Sequence, residues 1–318
     1  MKCVRLLGIG LLAVIPFLTL KAQKAMTPHD LEAWKRITTR AISNDGQWAA
    51  CVFTPWRGDS EVQVYSTKGE LIQNYAPATE VKFSSSSNYA LIKQVPALAL
   101  SDSLKLKKVK KNKMPMDELI IRNLKTGHEW KLDSLKVYRL AEEGDWMVYQ
   151  RTRKDSSLVV ASLDGANKYV LPAASAYGFA KEKAALYFVT KDTVGGKKPG
   201  IYVWTAETPQ PTLIKEGKGL FVQPTFDKAG NKLAFLYTDN KKEKDYTLTL
   251  WVSEGGNTAQ EVVTRTIAGL PEGWVLSPNQ RLSFSEDASR LFLGTAPAPL
   301  RKDSTVLATN RPNVQVWN

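Results

Sequence analysis

The stretch FDKAGNKLAFLY, Phe226 to Tyr237, carries an apolar residue, then polar turn formers around Asp227 and Gly230, then a run that turns apolar. That order predicts a strand, a tight turn and a second strand. The same twelve-residue pattern recurs without gaps as ISNDGQWAACVF from Ile42, FSSSSNYALIKQ from Phe83 and LAEEGDWMVYQR from Leu140. It recurs again as FAKEKAALYFVT from Phe179 and FSEDASRLFLGT from Phe284, so the starts lie 39 to 58 residues apart. A second element follows each of the first five: VQVYSTKG from Val62, IIRNLKTG from Ile120, LVVASLDG from Leu158, IYVWTAET from Ile201 and LTLWVSEG from Leu248. Four of these put a glycine at the same place (Gly69, Gly127, Gly165 and Gly255), where a short hairpin turn needs a positive φ. Apolar segments after the turns, such as HEWKL (128–132) and AQEVV (259–263), supply a fourth strand.

One unit is therefore two consecutive hairpins, four antiparallel strands, repeated along the chain. This predicts an all-β fold, a β-propeller of four-stranded antiparallel blades, five complete and a truncated sixth. A sandwich also has short strands at regular spacing, but gives no reason for a two-part motif to recur six times. Helical periodicity is confined to residues 28–36, PHDLEAWKR. The expected organisation is a signal peptide over residues 1–22, an N-terminal segment with a short helix over 23–40, and the propeller over 41–318, incomplete at its C-terminus. Val314 to Asn318 matches the third strand of a unit, so the repeat stops in mid-blade, which implies a fragment of a longer polypeptide.

The leader, MKCVRLLGIGLLAVIPFLTLKA, has Lys2 and Arg5 before an apolar run from Leu6 to Leu20. Such a run is shorter than the roughly 20 residues a spanning helix needs. Cleavage is expected between Ala22 and Gln23, which places the mature chain in the periplasm or outside the cell, with no membrane span. Of the two cysteines, Cys3 and Cys51, only Cys51 then remains, in the apolar stretch WAACVF, so no internal disulfide forms. The formal net charge is +13, and loss of Lys2, Arg5 and Lys21 lowers it by three.

Much of the remaining charge sits in one place. The second repeat carries an insertion between its middle strands, ALALSDSLKLKKVKKNKMPMDE (97–118), holding Lys105, Lys107, Lys108, Lys110, Lys111 and Lys113. Six cations so close together repel one another and favour a solvated loop; a binding surface for an anionic partner is the functional alternative. No aromatic residue interrupts the run, which excludes the stacking pattern of single-stranded nucleic-acid binding. A second insertion, APAPLRKDSTVLATNRP (296–312), lies in the sixth repeat.

Catalytic motifs are absent from the sequence. There is no G-x-S-x-G nucleophile elbow, and the only histidines are His29, beside the expected helix, and His128, in a hairpin turn. Two Cys and two His give no zinc spacing, and neither a phosphate-binding loop nor a dinucleotide fingerprint occurs, Gly195-Gly196-Lys197-Lys198 lacking the upstream glycine. No catalytic, cofactor or metal residue is assigned. Trp48, Trp146, Trp204, Trp251 and Trp317 recur at what read as corresponding strand positions within the repeats, which predicts blade-to-blade core packing.

The repeat resembles the PD-type repeat of TolB-like proteins and of the N-terminal propellers of prolyl oligopeptidase-family serine peptidases. The secreted bacterial members are resembled in order along the chain by LKAQ (20–23), DLEAWKRI (30–37), the Lys-rich insertion with MPMDEL (114–119), EEGDWMVY (142–149), LSFSEDASRLFLGTAPAP (282–299) and VQVWN (314–318). The resemblance implies a substrate-gating and domain-packing propeller whose partner is a C-terminal α/β-hydrolase domain, absent from this sequence, and whose substrates are peptides. The alternative is a non-enzymatic, TolB-like envelope propeller acting as a protein-binding scaffold.

Overall fold

The computed structural model describes residues 27, 30, 34–152, 157–191, 198–242, 247–263 and 269–299. Within them the regular structure is almost wholly antiparallel strands. The first sheet is β1 (Lys35–Ile42), β2 (Trp48–Pro55), β3 (Glu61–Ser66) and β4 (Leu71–Tyr75), paired in chain order. The second is β5 (Ala78–Phe83), β6 (Tyr89–Gln94), β7 (Glu118–Asn123) and β8 (Glu129–Leu132), again in order. Both begin as the repeat requires, with Ile42 and Phe83 each closing a first strand. The short helix expected over 28–36 lies mostly outside the described residues, and its last two, Lys35 and Arg36, open β1 instead.

The third and fourth units depart from the expectation of separate blades. They comprise β9 (Leu135–Leu140), β10 (Trp146–Arg151), β11 (Ser157–Ser162), β12 (Lys168–Phe179), β13 (Ala185–Thr190), β14 (Gly200–Thr205) and β15 (Thr212–Glu216), paired as one seven-stranded sheet. The cause is β12, twelve residues long, whose first half pairs with β11 and whose second half pairs with β13. No loop separates the last strand of one unit from the first of the next. Pro172 lies at a break in the β11–β12 register, between the Ser157–Ala173 and Leu158–Leu171 pairs, where its missing N–H costs no ladder bond.

The fifth unit is β16 (Leu220–Phe226), β17 (Lys232–Thr238), β18 (Thr249–Glu254) and β19 (Gln260–Val263). A last hairpin follows in two short ladders, β20 (Trp274–Ser277) with β23 (Gly294–Pro297) and β21 (Ser283–Phe284) with β22 (Leu291–Phe292). The segment 314–318, expected as a third strand, lies outside the described residues.

The core lies between sheets. Because side chains alternate across a strand, one residue of a middle strand faces the preceding sheet and the next faces the following one. Ala90 and Ile92 of β6 pack with Val52, Val62 and Val64 of the first sheet, whereas Leu91 packs with Leu135, Met147 and Tyr149 of the third unit. Burial on both faces is why β6, β7 and β17 carry consecutive fully buried residues rather than a simple alternation. Three further clusters join unit three to four, four to five and five to the last hairpin. Between units three and four, the Trp146 and Trp204 rings meet edge to face with centroids 5.1 Å apart, and Tyr169 lies 5.8 Å from Trp204. Four of the five tryptophans do pack between sheets, although they do not share one position: Trp48 and Trp146 open second strands, whereas Trp204 and Trp251 lie in third strands, and Trp317 lies outside the described residues.

Candidate functional site

The turns joining first to second strands share one construction. In each, the first turn residue's N–H donates to the carbonyl of the residue five places on, as from Ser43 N to Trp48 O (2.9 Å). Where the first residue has an oxygen, that oxygen also takes the N–H five residues later. Ser43 accepts from Trp48 N (3.0 Å), Ser84 from Tyr89 N (3.2 Å), Asp227 from Lys232 N (2.7 Å) and Ser285 from Arg290 N (2.9 Å). Ala141 and Ala180 occupy that place in the remaining two and keep only the backbone bond. The fourth turn residue is left-handed at Gly46, Ser87, Gly144, Gly230 and Ala288.

These turns also touch one another. Asp45 N donates to Ser87 Oγ (3.0 Å), Ser86 Oγ donates to Asp145 (2.6 Å), and Glu182 N donates to Lys228 O (3.0 Å). The Lys228 ammonium then bridges Glu182 (3.3 Å) and Glu286 (2.7 Å). A Cβ at Gly230 would stand 2.8 Å from Ala180 Cβ, so the fourth and fifth units approach here as closely as a glycine allows.

At the same end, the first strands of units three to five and the last hairpin surround a cavity of about 590 Å³. Its wall draws repeatedly on one position of the repeat, the residue just before the apolar start: Arg139, Gly178, Thr225 and Ser283. Phe179, Phe226 and Phe284 contribute apolar surface, and Arg281 reaches the rim. Tyr187 of β13 faces Gly178 of β12 across the ladder, and a Cβ on Gly178 would come within 3.1 Å of the Tyr187 hydroxyl. Phe226 packs 5.7 Å from the same ring. Burial pushes the Tyr187 phenol above its ordinary range, an effect partly offset by the positive charges of Arg139 and Arg281.

The charge around the cavity is unevenly committed. Lys228 and Glu286 neutralise each other, and Asp227 is buried and turned to backbone. Arg139 stacks over Tyr177 at 5.1 Å and donates to its carbonyl at 3.4 Å, while among the described residues neither Arg139 nor Arg281 forms an ion pair. Lys181 adds a third cation and Glu142 one carboxylate, so the uncommitted balance is positive.

The lysines singled out from sequence stand elsewhere. They lie in residues 95–117, between β6 and β7, at the opposite end of the sheets. The insertion is not wholly loop: Leu98–Leu106 forms helix α1, whose first N–H donates to Asp59 Oδ1 of the first sheet (2.7 Å), and Lys111–Lys113 makes a 3-10 turn. Lys105, Lys107, Lys108, Lys110, Lys111 and Lys113 are all exposed, with Lys105 paired to Asp102 at 3.2 Å. His128 is exposed in the β7–β8 turn, and Cys51 is half-buried on the first sheet. Ala22, Gln23 and His29 lie outside the described residues. Among the described residues no group of three or more His, Cys, Asp or Glu side chains is placed to hold a metal ion, and no helix is long and apolar enough to cross a membrane.

Sequence reading missed Arg139, Tyr187 and Arg281. The column before each apolar start would have pointed to Arg139, but nothing local marks the other two.

No family model matches the chain, and no curated protein matches it. Among solved structures it is similar to a prolyl endopeptidase, with 14% identity and a TM-score of 0.43 over 84% of this chain and 43% of that one. It is also similar to the β-propeller domain of the Trilobed protease from Pyrococcus furiosus, with 11% identity and a TM-score of 0.41 over 76% of this chain and 78% of that one. Kluyveromyces lactis Hsv2p stands at 15% identity and 0.40, over 81% and 71%. The chain spans less than half the length of the prolyl endopeptidase. Likeness at this level concerns the course of the strands and carries nothing about activity.

Proposed function

We propose that this chain is the propeller portion of an exported serine peptidase of the prolyl oligopeptidase family, five blades and part of a sixth, without a catalytic centre of its own. It admits peptides and packs against an α/β-hydrolase domain. The observation that carries the reading is the order of the resembling motifs along residues 27–318, set on strands that stack sheet upon sheet. EEGDWMVY spans the β9–β10 turn, MPMDEL leads into β7, and the segment from Leu282 to Pro299 forms most of the last hairpin. A second support is size: a cavity of about 590 Å³ accepts a few residues of extended chain and refuses a folded domain.

Sequencing the transcript past the Asn318 codon tests the reading. An open frame encoding G-x-S-x-G, then an Asp and a His, is the expected result. A stop codon after one or two further repeats would overturn it in favour of the scaffold reading. The 318-residue chain alone is expected to leave chromogenic peptides uncleaved.

A further inference from the structure

We propose that the cavity between Arg139, Tyr187 and Arg281 binds the α-carboxylate of a peptide C-terminus, with the last side chain seated against Phe179, Phe226 and Phe284. This rests on the peptidase reading and deepens it by naming the end of the substrate that the propeller holds.

Three observations converge. First, Arg139 and Arg281 border one cavity with no carboxylate partner among the described residues, and a guanidinium fork matches a carboxylate with two parallel N–H···O bonds. Second, Tyr187 presents a hydroxyl at the same place with no hydrogen-bond partner among the described residues, held there by Gly178 beneath its ring and Phe226 beside it. A phenol kept protonated by burial is a donor, which an anionic oxygen accepts. Third, Phe179, Phe226 and Phe284 form an apolar part of the same wall, which suits a carboxylate carried on an apolar body better than a small, fully hydrated anion such as phosphate. The acidic groups nearby do not compete for the arginines: Glu286 is held by Lys228 and Asp227 by the backbone of its own turn. Glu142, without an ion pair among the described residues, also lines the cavity and opposes the entry of more negative charge than the two arginines offset. The chemistry therefore selects one terminal anion.

Calorimetric titration of the 318-residue chain with N-acetyl-L-phenylalanine and with its amide reads this directly. The acid is expected to bind about tenfold more tightly than the amide, as for one lost charge-assisted interaction. Arg281→Gln should abolish that preference and Tyr187→Phe should reduce it, with circular dichroism unchanged. Inorganic phosphate should compete poorly. Equal binding of acid and amide, no binding of either at millimolar concentration, or a preference that survives Arg281→Gln would each overturn the proposal. Tight competition by phosphate would overturn the amphiphilic part of it. A pentapeptide pair, free acid and amide, separates this from the broader reading. If the amino-acid derivative shows the preference and the pentapeptide does not, the pocket chemistry stands and peptide admission falls.

Discussion

At one end of the sheets the chain reverses in six-residue turns that clamp themselves and hydrogen-bond to their neighbours; at the other it travels through residues 95–117 between β6 and β7 and leaves Trp34 and Trp56 in solvent, 61% and 87% exposed. Both ends belong to the same strands. The difference shows where neighbouring sheets are fastened: the short turns converge and pack, whereas long connections leave the stack and carry charge outward. The cavity bordered by Arg139 and Arg281 lies at the fastened end, so its walls are set by the turns, while the lysines stand at the free end.

The largest test of this contrast is Gly230→Ala. The residue is left-handed, with φ at +73°, and the added carbon would press on Ala180 and Lys183 of the neighbouring unit. Backbone strain and overpacking together are expected to cost about 2–4 kcal/mol. Urea unfolding measures it, and an unchanged midpoint would break the view that this end is closely fastened.

A smaller effect is expected from acid. Asp45 and Asp287 each accept a hydrogen bond from a serine two residues earlier, Ser43 and Ser285, both at 2.6 Å. Asp164 accepts in the same way from Ser162 in the β11–β12 turn. These hydroxyl bonds hold all three carboxyls below their ordinary range, Asp287 at about 2. A folded-state pKa below the unfolded value means stabilisation that is present above about pH 4 and lost as pH falls toward 2. The unfolding free energy should therefore decline across that window. The triple variant Ser43→Ala, Ser162→Ala, Ser285→Ala should show a shallower decline; an unaltered slope would remove the turns from the account.

The smallest effect belongs to the free end. Replacing Lys105, Lys107, Lys108, Lys110, Lys111 and Lys113 by Gln lowers the formal charge by six, yet is expected to move stability by no more than about 0.5 kcal/mol. Thermal unfolding checks it. A loss of several kcal/mol would show that the insertion is fastened as firmly as the turns.

The twelve-residue repeat was legible because strand alternation and turn chemistry are local. Phe83, Leu140, Phe179 and Phe226 each close a first strand as their pattern requires, and Gly69, Gly127, Gly165 and Gly255 all take the positive φ that their turns need. The merging of units three and four through β12 was not legible, because a register break at Pro172 preserves pairing that a proline ordinarily ends. Helix α1 was hidden for a related reason: the lysines that end and follow it read as mutually repelling loop, while the Asp59 carboxylate that accepts its first N–H lies 39 residues away in sequence.

By itself, then, the sequence determined the strands, their antiparallel order and the place of the charged insertion, since each depends on neighbours a few residues apart. Only the tertiary structure decided that Arg139 of β9 and Arg281 of the last hairpin border one cavity with Tyr187. Side chains so far apart along the chain meet only when sheets stack through buried residues such as Leu186, Phe235 and Leu276, and that packing depends on how those shapes fit together rather than on pattern.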